Sequence, residues 1–239
     1  MEIDATGKTQ EELNEIIRSK KASEYKISGC LGQRFIAAGA EKTHFYLKGT
    51  PGNALAAYCN GATIEVDGNA QDAVGDTMND GKIVINGSVG DAVGYAMRGG
   101  VIFVKGNAGY RAGIHMKEYK EKIPHLVIGG TVGSFLGEYQ AGGSIIVLGL
   151  SDNAPIVGNF PCTGMHGGKV LLRSTCEGIE FPKNVNVKRA SLEELNLFIP
   201  VISEFCKAFN LDEKEVLASP FTIVTPNSNN PYKQMYVPN

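Results

Sequence analysis

Apolar residues recur along this chain in columns. One column runs Tyr25, Phe45, Ile64, Ile83, Ile102, Leu126, Ile145 and Val170, and a second lies two residues further on at Ile27, Leu47, Val66, Ile85, Val104, Ile128, Val147 and Leu172. Two apolar positions separated by one polar or exposed position have the period of a strand, in which alternate side chains share a face. Each repeat therefore supplies at least one short strand. Further columns follow at Leu55, Val74, Val93, Ala112 and Leu136, then at Cys59, Met78, Met97 and Met116. With several inward columns per repeat, the chain must circle a core instead of folding back on itself.

The glycines keep the same step. The segments GATIEVDGNAQDAVG, GKIVINGSVGDAVG and GVIFVKGNAGYRAG place Gly68, Gly87 and Gly106 at intervals of 19 residues, and Gly75, Gly94 and Gly113 likewise. A fixed period near 20 residues is the mark of a solenoid. The step is too short for a helical crossover between parallel strands, so the chain must wind in stacked coils. The predicted fold is all-β: a right-handed parallel β-helix of about eight coils over residues 25–174, about 38 Å long at the spacing of adjacent strands. The right hand follows from the crossover rule, and a 19-residue step breaks the strict hexapeptide register on which left-handed β-helices are built.

Outside the repeats the period becomes helical. Residues 9–20 open with a capping box, Thr9 to Glu12, and place Leu13, Ile16 and Ile17 on one stripe, which predicts a helix capping the first coil. Residues 191–218 predict further helices that cap the other end. Ser191 and Glu194 form a second capping box, Leu192, Leu195, Phe198, Ile199, Ile202, Phe205 and Cys206 have helical spacing, Pro200 kinks or splits the pattern, and a last helix begins near Asp212. The Pro- and Asn-rich tail over 219–239 reads as irregular, lying along a partner or disordered. All of 1–239 reads as one domain.

Two stretches break the period. The step lengthens from 19 to 24 residues at MKEYKEKIPH (116–125), and SDNAPIVGNFPCTGMHGG (151–168) expands the repeat before the last coil. Insertions in repeat proteins fall in loops on one face, often the binding face.

Composition narrows the function. A net charge of −2 gives no clustered basic face for nucleic acid, and no apolar run reaches membrane-spanning length. The acidic N-terminus has none of the features of a signal peptide, which makes the cytoplasm the expected location. Cys30, Cys59, Cys162, Cys176 and Cys206 are scattered, with no C-x-x-C pair, and read as reduced core residues. His44 reads as a packing or turn residue, His115 and His125 flank the charged bulge, and neither His115 nor His166 has a ligand-spaced neighbour; no G-x-S-x-G occurs, and no ladder of acids lines successive coils, since the equivalents of Glu65 are Val84 and Phe103. Arg98, Arg111, His115, Lys117, Glu138, Tyr139 and His166 do stand out. They occupy turn phases or insertions where small neutral residues would serve, and should lie along one side, either as a partner surface or as an intramolecular network.

A run of motifs resembles a known family. Gly90-Asp91 with Gly94-Tyr95-Ala96-Met97-Arg98-Gly99-Gly100, Gly109-Tyr110-Arg111 with Gly113-Ile114-His115-Met116-Lys117, Phe135-Leu136-Gly137-Glu138-Tyr139 and Gly164-Met165-His166-Gly167-Gly168 together resemble the C-terminal β-helix domain of the glutamate synthase large subunit. The resemblance runs from Ile3 to about Arg173, with Gln140 where that family usually has Met; a related β-helix is the C subunit of formylmethanofuran dehydrogenase. The resemblance implies a non-catalytic chain with no catalytic, cofactor or metal residues of its own. It would space and align a glutaminase subunit and a synthase subunit carrying FMN and an iron–sulfur cluster, so that ammonia passes between them. A scaffold for another oxidoreductase, such as formylmethanofuran dehydrogenase, and an independent carbohydrate-acting β-helix enzyme are the alternatives, and self-association remains open.

Overall fold

The structure, a computed structural model, describes residues 1–150 and 155–227. The expansion at 151–168 and the tail at 219–239 therefore fall partly outside the described residues. The described residues are all-β in character, with eleven strands in one open, mixed sheet and four short helices among them. Strands β1 (Glu2–Asp4), β2 (Glu24–Leu31), β3 (His44–Thr50), β4 (Asn60–Asp67), β5 (Asp80–Ile85), β6 (Val101–Val104), β7 (His125–Ile128), β8 (Ala141–Val147) and β9 (Gly167–Leu172) pair parallel in chain order.

The register realises the predicted columns: Tyr25 pairs with Phe45, Phe45 with Ile64, Ile64 with Ile83, Ile83 with Ile102, Ile102 with Leu126, Leu126 with Ile145 and Ile145 with Val170. These side chains are buried, together with Leu55, Val74, Val93 and Ala112 and with Cys59, Met78, Met97 and Met116, in one continuous core. A second, thinner ladder of single parallel bridges links Ala70, Val89, Ala108, Val132 and Val157.

Three features differ from expectation. Strand pairing begins at Glu2, before the first helix, because Glu2 to Asp4 pair with Lys26 to Ser28. Helix α1 (Gln10–Lys20) then leaves and returns, with the capping box between Thr9 and Glu12 formed and Leu13 buried in the main core. The tail is not wholly irregular: β11 (Thr222–Pro226) inserts between β9 and β10 (Val185–Arg189), antiparallel to both. Its alternating Ile223 and Val224 put one side chain into each of two cores, which is why this short run pairs.

The C-terminal helices do not cap the end of the stack but lie on the outer face of the sheet. Helix α2 (Leu192–Asn196) stops before Pro200, which sits in the first turn of α3 (Ile199–Phe209) where its missing N–H costs nothing; α4 (Glu213–Leu217) starts from Asp212 as N-cap. Phe198, Ile202, Phe205, Cys206 and Phe209 pack on the row Val84, Phe103, Val127, Ile146 and Leu171 in a second core. The Phe103 and Phe205 rings meet edge-on at 5.5 Å, and Lys82 Nζ reaches Glu204 Oε1 at 2.6 Å. The same row is polar earlier, at Lys26, Tyr46 and Glu65, and there the face stays open. Among the described residues no helix is long and apolar enough to cross a membrane.

Substituting Ile85→Asp, fully buried between Val66 and Val104, strands a charge among stacked strands; a loss of more than about 4 kcal/mol, read as collapse of the cooperative melt, is the expected result. Phe205→Ala should cost about 3–5 kcal/mol in a denaturant titration by leaving a cavity between α3 and the sheet, whereas an α3 lying free of the sheet would lose almost nothing.

Candidate functional site

The turns that close each repeat have an unusual backbone. Positive φ recurs at every second residue over five: Ala54, Ala56 and Tyr58; Ala73, Gly75 and Thr77; Ala92, Gly94 and Ala96; Arg111, Gly113 and His115; Phe135, Gly137 and Tyr139. A side chain in this region costs about 1–2 kcal/mol, so the conformation must be held from outside the residue. Hydrogen bonds between repeats hold it. The first and third positive-φ residues donate forward, as Arg111 N–H does to Ser134 O at 2.9 Å and His115 N–H to Glu138 O at 2.9 Å, and the middle one donates backward, as Gly113 N–H does to Val93 O at 2.8 Å.

Short polar side chains add two further ladders at the corners. Asp72 Oδ1 accepts Asp91 N–H at 2.9 Å, and Asp91 Oδ1 accepts Tyr110 N–H at 2.8 Å. Asn69 Oδ1, Ser88 Oγ and Asn107 Oδ1 accept the N–H groups of Ser88, Asn107 and Thr131 in the same way. The carboxylate oxygens of Asp72 and Asp91 occupy the space that a Cβ would need at Gly90 and Gly109, so glycine there is set by close approach.

This ladder gathers most of the residues singled out from the sequence. Arg111 Nε donates to Glu138 Oε2 at 3.1 Å, and its guanidinium lies over the Phe135 ring at 5.0 Å. The His115 ring stacks on Tyr139 at 5.2 Å and 11°, and meets Tyr95 edge-on at 5.9 Å. Arg98, Lys117 and His166 share one phase further round the turn, their N–H groups donating to Met78 O, Met97 O and Gln140 O. His166 Nδ1 lies 3.1 Å from Gly164 O, and Gly164 itself packs against the Tyr139 ring. The intramolecular network thus exists for Arg111, Glu138, His115 and Tyr139. The pair Arg111–Glu138 has side-chain exposures of 49% and 12%, so its net worth is about 1 kcal/mol or less and it mainly fixes orientation.

Other neighbours of this strip were not singled out. Phe35, Tyr58, Tyr110, Tyr119 and Phe160 are all more than half exposed at or beside turn phases. Aromatics at fixed turn positions were the signal. On the sheet, His44 Nε2 reaches Glu65 Oε1 at 2.9 Å, and His125 Nδ1 lies 2.6 Å from the buried Ser144 Oγ. The cysteine thiols are all buried, and burial pushes that of Cys162 up to about 12. Among the described residues no group of three or more His, Cys, Asp or Glu could hold a metal ion.

Parallel strands paired in chain order, glycine-rich turns and inter-repeat polar ladders define an all-β repeat protein built by one motif. The chain belongs to the GXGXG motif family, whose model matches residues 2–227. It is 47% identical over 238 residues to the uncharacterized protein MJ1350 of Methanocaldococcus jannaschii, covering 95% of this chain and 91% of that one. Its fold is similar to a chain of the formyltransferase/hydrolase complex from Methylorubrum extorquens, crystallised with methylofuran: TM-score 0.63 and 20% identity, over 83% of this chain and 71% of that one.

Burial holds the His125 pKa below its ordinary value of 6.5, against the opposing pull of Glu118 and Glu204. The unfolded chain then binds a proton before the folded one does, so stability should begin to fall as pH drops through about 6.5. His125→Asn should flatten that part of the profile between about pH 7 and 5, measured by urea midpoints; an unchanged slope would place the titration elsewhere.

Proposed function

We propose that this chain is the non-catalytic structural subunit of a cytoplasmic glutamate synthase, folded as one right-handed parallel β-helix domain of about eight coils. The parallel strands in chain order and the second ladder through Ala70, Val89 and Ala108 support the winding. In this reading the chain has no catalytic activity and holds no cofactor. It aligns a glutaminase subunit with an FMN and iron–sulfur synthase subunit, and ammonia passes between them.

The observation that carries the proposal is the turn strip. Its motif residues are fixed by backbone ladders and mutual pairing, yet leave Arg111, His115 and Tyr139 and the neighbouring aromatics exposed, the combination enriched at interface hot spots. Arg98, Arg111, His115, Lys117, Glu138, Tyr139 and His166 are assigned to that docking side. A second reading, scaffold of a formylmethanofuran dehydrogenase-type complex, is favoured by the likeness in fold to the chain of the formyltransferase/hydrolase complex.

Co-expression with the neighbouring open reading frames, followed by pull-down, tests both. The expected partner shows flavin absorbance, and Arg111→Ala, Glu138→Ala and His166→Ala each lower its recovery severalfold at unchanged melting temperature. A partner without flavin that transfers formyl groups would replace the first reading by the second. Full recovery with all three variants would remove the strip from the interface.

A further inference from the structure

The lengthened repeat builds a feature beyond the paired residues of the docking strip, with which it shares Arg98. Lys120, at φ 57, turns the insertion, and Tyr119 and Lys122 exchange backbone hydrogen bonds of 3.0 and 3.1 Å across it. The loop is then fastened on both flanks. Lys122 Nζ donates to Asp80 Oδ2 at 3.0 Å and to Asn79 O at 3.2 Å, while Glu118 Oε1 accepts Gly143 N–H at 2.9 Å. Gly99 makes the approach possible, since a Cβ there would stand 3.1 Å from Lys122 Cβ. The insertion is thereby drawn back across earlier repeats and becomes the wall of a cavity of about 390 Å³.

Glu41, Tyr58, Asn60, Arg98, Tyr119 and Lys122 line that cavity. Two of its charged side chains have polar partners. Glu41 accepts from Asn60 Nδ2 at 3.0 Å, and Lys122 is held by Asp80. The Arg98 guanidinium has no hydrogen bond or ion pair among the described residues. A guanidinium presents a planar fork of donors that matches an oxyanion in two places at once. Tyr58 and Tyr119, 60% and 54% exposed, offer aromatic surface on the same concavity.

We propose that this cavity binds a monocarboxylate with a flat or apolar body, its carboxylate on Arg98 and its body against Tyr58 and Tyr119. With Lys122 paired to Asp80, Glu41 is the carboxylate left in the lining and repels a dianionic phosphate more than a monocarboxylate, while Arg98 is the cation left to receive the single negative charge. The carboxylate comes either from a free small acid or from an acidic side chain of a docked polypeptide. The site stands on its own geometry and does not depend on which complex the chain joins.

The test is a titration of the isotope-labelled full chain with sodium benzoate, followed by amide and Arg Nε chemical shifts, with inorganic phosphate as the control anion. Saturable shifts at Asn60, Asn79, Arg98 and Tyr119 are expected with a Kd of about 1 mM or tighter, and phosphate should not compete at equal concentration. Arg98→Gln should weaken binding at least tenfold at unchanged melting temperature, since the side chain has no partner to lose, and Tyr119→Ala severalfold. Benzoate that displaces a co-purified subunit assigns the native ligand to a partner's carboxylate; benzoate that binds without displacing it assigns a free acid. Shifts scattered outside the cavity, or wild-type affinity in Arg98→Gln, would overturn the proposal, while the docking reading is judged separately by the pull-down with the Arg111, Glu138 and His166 variants.

Discussion

Everything in this molecule depends on hydrogen bonds between one repeat and the next. In the strands these are ordinary parallel ladders, but in the turns the same repeat-to-repeat bonding forces a backbone that single residues avoid. Arg111, His115, Phe135 and Tyr139 all sit at positive φ without being glycine. Their N–H groups are spoken for by Ser134 O, Glu138 O, Asn159 O and Thr163 O. At about 1 kcal/mol net per bond, with a larger cost for leaving a buried N–H unmade, the ladder outweighs the local strain only while repeats stay in register. Register and turn conformation therefore hold or fail together.

The polar residues of the turns divide into two physical roles. Asn69, Asp72, Ser88, Asp91 and Asn107 point along the stack and satisfy the next repeat's N–H groups. Arg111, His115, Glu138 and Tyr139 point outward and satisfy one another. The first set makes the repeats stackable, and the second gives the strip a fixed chemical relief.

How much of this was legible can be argued residue by residue. The inward columns were, because burial on a strand leaves a strict period of two, and a step near 20 residues, lengthened at the two insertions, carried it from Tyr25 to Leu172. The capping boxes at Thr9 and Ser191 were, because they are local. The place of α3 was not, although the switch from Glu65 to Val84, Phe103 and Val127 on the outer face held the clue: an apolar row on a nominally exposed face needs a cover. β11 was missed because the Pro and Asn around it mask five residues whose pairing is purely tertiary. Arg98 and Lys117 stood out as polar interruptions, but nothing local says that Lys122 would reach back to Asp80 and enclose a cavity beside Arg98.

The α3 layer changes what kind of object the stack is. A solenoid held only by neighbours behaves as a one-dimensional chain and unzips from its ends. Here Lys82 on β5 is tied to Glu204, Phe103 on β6 to Phe205, and Arg173, just past β9, to Val216 O. The later strands are thus splinted along their length, while β1 to β4 are joined only step by step. Under pull or heat the molecule has a loose lapel and a stiff body, and the boundary between them falls where the outer row turns from Glu65 to Val84.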